Sequence, residues 1–65
     1  MAKYSISCMF IDDMFERTSE EYDSFEEAEE HFNEDIASKK YVYLILNEIN
    51  GNEVKPIKKW FNLED

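Results

Sequence analysis

A single glycine, a single proline, a single cysteine and a single histidine in 65 residues close off several chemistries before any pattern is read. With Gly51 the only glycine, no glycine-rich loop is available to cradle a phosphate. With Cys8 the only cysteine, no intramolecular disulfide can form, and a reducing cytoplasm is the expected compartment. Cys8 and His31 together fall short of a structural zinc site, whose ligands come in clusters. Glu27 and His31 stand four apart, but one pair is not a ligand set, and His31 reads as a solvated helix residue. Residues 47–53 carry the acids and amides of a calcium loop. Aligning Gly51 with the sixth position of such a loop puts Leu46 at the first, where a carboxylate is required. No metal and no cofactor are expected.

Positive charge is scarce as well: seven Lys and Arg stand against sixteen Asp and Glu, for a net charge of −9. So acidic a surface is repelled by nucleic acid and by anionic lipid, so neither is expected as a direct partner. No apolar run has the length of a signal peptide or of a membrane span. Lys55, Lys58 and Lys59 beside Trp60 and Phe61 form a basic aromatic tail of the kind that stacks on bases. Three lysines cannot outweigh the overall charge, and they are expected to pair with Glu20, Glu21 or Glu53. Nucleophilic catalysis would need a pocket and a base, and a small domain with one histidine has little room for either. Carboxylates on an exposed helix lack the burial that would tune them for acid–base work. An enzyme is the least expected class.

The acid is concentrated. Residues 12–35 hold twelve of the sixteen acidic residues and one arginine, a formal charge of −11, while the rest of the chain carries +2. Within this stretch Ser24 and Glu27 have the spacing of a capping box. At 100° per residue Phe25, Ala28, Phe32 and Ile36 fall in one arc of about 80°, a core-facing stripe. Glu26, Glu30 and Glu34 run along the opposite face, with Glu27 beside them. Like charges at i, i+4 cost roughly 0.2–0.5 kcal/mol per pair. A helix tuned only for stability would interleave lysine, whereas Lys39 and Lys40 lie beyond the ladder. Glu20, Glu21 and Asp23 extend the same acidic surface. This face is either a solvated exterior or a binding site for a cationic partner.

Around that helix, alternation over residues 4–11 predicts a strand with Tyr4, Ile6, Cys8 and Phe10 facing the core. Asp12-Asp13 is a plausible turn, and residues 14–22 read as a second, edge-type strand or else an extended loop. The helix should end near Ser38. Residues 41–46, apolar throughout, give the strongest strand signal. Asn50-Gly51 suits a two-residue type I′ hairpin turn, and residues 54–61 return as a strand whose Pro56 needs a free edge. Residues 62–65 should fray. The expected fold is a single small α+β domain, ββαββ with a βαββ fallback, in which one helix packs on one face of an antiparallel sheet. If Val42, Leu44 and Leu46 face the helix, then Tyr41, Tyr43, Ile45, Met9 and Ile11 form an exposed apolar patch on the other side. It is either a homodimer or partner interface or a surface that the twisted sheet and the Trp60-Phe61 tail cover within one chain, the first being favoured.

These features favour a non-enzymatic, acidic protein-binding module. Successive carboxylates along Glu26-Glu30-Glu34 rise about 6 Å per step on a rigid rod. A basic surface built to hold a phosphate backbone could accept that row instead. In size and charge the chain resembles the small acidic inhibitors of phages and mobile elements, such as anti-CRISPR and anti-restriction proteins. That resemblance implies a nucleic-acid-mimic inhibitor acting in a host cytoplasm on a nucleic-acid-binding protein; it covers no motif and assigns no residues. The competing expectation is an assembly module that homodimerises through the sheet, its acids serving solubility. A small-ligand carrier is a distant third.

Overall fold

The computed structural model describes residues 2–63. Five elements follow in the order β1 (Lys3–Phe10), β2 (Glu16–Thr18), α1 (Phe25–Ser38), β3 (Tyr41–Asn50) and β4 (Glu53–Phe61). The strands form one four-stranded sheet in the order β2-β1-β3-β4, every pair antiparallel. The helix lies on one face, as expected of a ββαββ α+β domain. Its seam is the one the wheel marks except at Phe25, which is exposed at the helix start: Ala28 and Phe32 are buried, Ile36 packs beside them, and Ile6, Leu44 and Leu46 meet them from the sheet. Tyr4, Cys8, Tyr22, Tyr41 and Trp60 ring this small core. Two further contacts tie the helix start to the strands: the Tyr4 and Phe25 rings meet edge-on at 5.9 Å, and Tyr22 stacks on His31 at 4.8 Å.

Local chemistry sets the element ends. Ser24 Oγ accepts from the Glu27 N–H at 3.1 Å, which starts α1. With no glycine to stop the helix, Lys39 takes the left-handed conformation at φ 60° and donates its N–H to Ile36 O. The hairpin between β3 and β4 corrects the expected turn. Asn50 pairs with Glu53, so the loop is Gly51-Asn52, with Gly51 at φ +59° in first place. Asn52 has no positive φ, so the arrangement is that of a type II′ turn and not type I′.

The edge segment 14–22 is strand only in part. Ser7 pairs with Thr18, but Tyr4 pairs with Tyr22, which leaves one extra residue between the two contacts. Ser19 spans the gap: its Oγ accepts from the Ile6 N–H at 2.8 Å and donates to Glu20 O at 2.9 Å. Upstream, Met14 sits at φ 58° in the turn after β1, and Asp13 steadies that turn by accepting from Phe15 N and from Arg17. At the other end the expected fraying is corrected at Asn62, whose N–H donates to Val42 O at 2.9 Å. Leu63 is exposed, and residues 64 and 65 lie outside the described residues.

Candidate functional site

The helix turns Glu26, Glu27, Glu30 and Glu34 into solvent, opposite the Phe32 seam. Among the described residues, ion pairs join Lys3 to Asp23, Arg17 to Asp13 at 2.5 Å and Lys58 to Glu29 at 3.0 Å. None of these reaches Glu26, Glu27, Glu30 or Glu34; the nearest cationic candidate is His31, whose Nδ1 lies 3.6 Å from Glu34 Oε1. Glu20 and Glu21 are exposed just before the helix. Asp23 is exposed there too and pairs with Lys3, because the Tyr4–Tyr22 bridge brings β1's first residue alongside it. Among Glu20, Glu21, Asp23, Glu26, Glu27, Glu30 and Glu34 it is the one with a lysine partner in the described residues.

The lysine pairing expected within the sheet is also corrected. Lys58 crosses to the helix, bonding Glu29 and placing its ammonium 5.5 Å from the Phe32 ring centroid. It does so because β4 carries a bulge between the residues opposite Leu46 and Asn47, which sets Lys58 and Trp60 on the helix side. Glu29 is thus the flank of the acidic face that the fold itself satisfies.

On the far side of the sheet the register lines up Glu16, Met9, Tyr43 and Phe61 in one row across four strands. The next row is Thr18, Ser7, Ile45 and Lys59. Met9, Tyr43 and Ile45 lie on that side, half-buried where an exposed patch is expected, while Tyr41 and Ile11 are not part of this surface. A register shift at Phe10 pairs it with Tyr41 and leaves Val42 as the extra residue. Tyr41 is thereby turned towards the core, its ring 4.6 Å from that of Phe10. Ile11 falls beyond β1, in the turn, with its N–H donated to Lys40 O. Phe61 and Val54 join the face instead, 52% and 61% exposed. Sequence alternation missed Phe61 because the β4 bulge reverses the sides of every residue after it, whereas Val54 lies before the bulge, opposite Ile49.

Two polar pairs on this far face are matched within the chain. Tyr43 donates to the Glu16 carboxylate, which pushes its phenol up to about 12. Asn47 Nδ2 donates to Ser7 Oγ at 3.0 Å. Asp35, on the flank of α1, is held above its ordinary 3.8, chiefly by burial, with Glu34 adding and His31 opposing. Burial also raises the Cys8 thiol, and Asp35 adds to this, so Cys8 stays protonated as a core-edge side chain. Among the described residues no three His, Cys, Asp or Glu converge as metal ligands, and no helix is long and apolar enough to cross a membrane. The chain matches no known protein family, no curated protein and no solved structure, so its functional reading rests on this geometry.

Proposed function

We propose that this chain is a non-enzymatic binding protein whose acidic helix face occupies the basic surface of a nucleic-acid-handling protein, in the manner of a nucleic-acid mimic. The observation that carries the reading is segregation of charge. Glu26, Glu27 and Glu30 have no cation within ion-pair distance among the described residues, although the chain places lysines elsewhere and uses Lys58 to satisfy Glu29. A clustered anionic surface on a rigid helix steers a cationic partner and fixes its orientation. In small size and strong acidity the chain resembles phage and mobile-element inhibitors of host defence, and inhibition of a host nuclease or related enzyme is the outcome this reading favours.

The test is a binding assay with immobilised wild-type chain against purified DNA-binding nucleases and other nucleic-acid-binding proteins, each run with and without competing duplex DNA. A partner of the proposed kind is displaced by the DNA, dissociates as salt rises through the range where the screening length falls below about 10 Å, and fails to bind a Glu26→Gln/Glu30→Gln/Glu34→Gln variant. Unchanged binding of that variant sinks the mimicry reading.

A further inference from the structure

We propose that the far face of the sheet is the interface of a homodimer, with the two-fold axis running parallel to the strands between β1 and β3. Among the described residues only Ile6, Ala28, Phe32, Leu44 and Leu46 make up the buried hydrophobic core. That is little for a chain whose single cysteine allows no internal disulfide, and small domains commonly complete their cores by association. The uncovered side offers Met9, Tyr43, Ile45 and Phe61 as adjoining apolar surface. Its polar atoms are prepared for cover, since Tyr43 is bonded to Glu16 and Asn47 to Ser7, so little unpaired polarity would be trapped.

Charge selects a second copy as occupant and fixes the axis. Glu16 lies on the β2 edge of this face and Lys59 on the β4 edge, one row apart. A two-fold axis along the strands lays β2 of one protomer over β4 of the other. Each Glu16 then meets the partner copy's Lys59, twice per dimer, within the reach of a lysine side chain. The same operation sets each Met9 over the other copy's Tyr43, a favourable sulfur–aromatic contact. An axis running across the strands would instead stack β2 on β2 and β4 on β4, like charge near like. The acidic helices stay on the outside of the assembly, separated by stacked layers about 10 Å thick each, beyond the screening length at physiological salt. Dimerisation therefore leaves the acidic face free and stands or falls independently of the function proposed for it.

Sedimentation or light scattering of the full chain reads the mass against 7.8 kDa for one copy. The expected result is twice that mass, reduced to one copy by Ile45→Lys while far-ultraviolet circular dichroism stays unchanged. Glu16→Lys and Lys59→Glu, both at exposed edge positions, should each weaken the dimer about tenfold. The double exchange should restore it, and the Glu26→Gln/Glu30→Gln/Glu34→Gln variant should leave it intact. A monomer at concentrations up to about 1 mM, a dimer indifferent to Ile45→Lys, or single exchanges that the double exchange does not rescue would each overturn the proposal.

Discussion

The outer face of α1 and the far face of the sheet lie on opposite sides of one thin core, and they are left incomplete in opposite ways. On the helix, carboxylates are arrayed without cations. On the sheet, Tyr43 and Asn47 are hydrogen-bonded within the chain and apolar surface is left around Met9, Tyr43, Ile45 and Phe61 between the edge charges Glu16 and Lys59. The first kind of surface acts at a distance and weakens with salt. The second acts only on contact and is nearly indifferent to salt. A chain of this size that kept both for solubility alone would be destabilised on one side and adhesive on the other. The contrast is why we propose different partners for the two faces.

The comparison breaks first at the layer between the faces. Phe32 is 2% exposed at the centre of the seam, and Phe32→Ala should cost about 3–5 kcal/mol. That is most of the stability of a domain with roughly 0.05–0.15 kcal/mol per residue, so denaturant titration should find no folded baseline at 25 °C. Ile45→Ala, on the half-buried far face, should cost less than about 1 kcal/mol when the chain is dilute enough to be monomeric. If the two losses were equal, the far face would be core and the contrast would vanish.

The acidic ladder sharpens the comparison through opposite signs. Glu26→Gln/Glu30→Gln/Glu34→Gln removes two like-charge i, i+4 pairs, worth together about 0.4–1 kcal/mol, and thermal melting should rise by a few degrees. The same variant should lose at least tenfold in affinity for the cationic partner, about 1.4 kcal/mol. Stability gained while binding is lost marks residues kept for function. A variant that neither melts higher nor binds worse would identify these glutamates as ordinary solvated surface.

How much of this was legible in the sequence follows from what alternation and the helical period can report. Ser24, the Ala28-Phe32-Ile36 stripe and the Glu26-Glu30-Glu34 ladder appear in the structure as the period places them, because a helix interior has no register to slip, while Phe25 at the first turn stays 37% exposed. The sheet was legible only up to its irregularities. An extra residue at Val42 turns Tyr41 to the core, and the bulge near Ile57 sends Trp60 to the core and Phe61 to the far face. One inserted residue reverses every side chain beyond it, and neither insertion leaves a local signature apart from Pro56, a residue type favoured at bulges. The Lys58–Glu29 contact follows from the second insertion, so it was out of reach too.

Lys39 offers a smaller test, at the end of the acidic helix. Its φ of 60° is strained for a residue with a side chain but natural for glycine. Lys39→Gly should stabilise the fold by about 0.5–1 kcal/mol, measured by urea titration with the slope unchanged. Because it touches neither face, it should alter neither partner binding nor dimer mass. A change in either would mean that the helix end belongs to an interface.

The smallest effect separates Asp35 from the glutamates it neighbours. It lies on the flank of α1, half-buried, and burial holds its carboxyl above the ordinary 3.8, with Glu34 raising it further and His31 drawing it down. The folded chain therefore binds this proton more tightly than the unfolded chain does. Its contribution favours folding fully below the unfolded value and fades as pH rises through the folded one. Wild-type stability should gain from this group as pH falls from neutral towards the window just above 3.8. Asp35→Asn, which carries no such proton, should melt slightly higher at pH 7 and lack that part of the gain. The acidic face is exposed and has no comparable burial, so the Gln variant of Glu26, Glu30 and Glu34 should retain it. If the pH dependence followed the ladder and not Asp35, desolvation at the helix flank would not be its source.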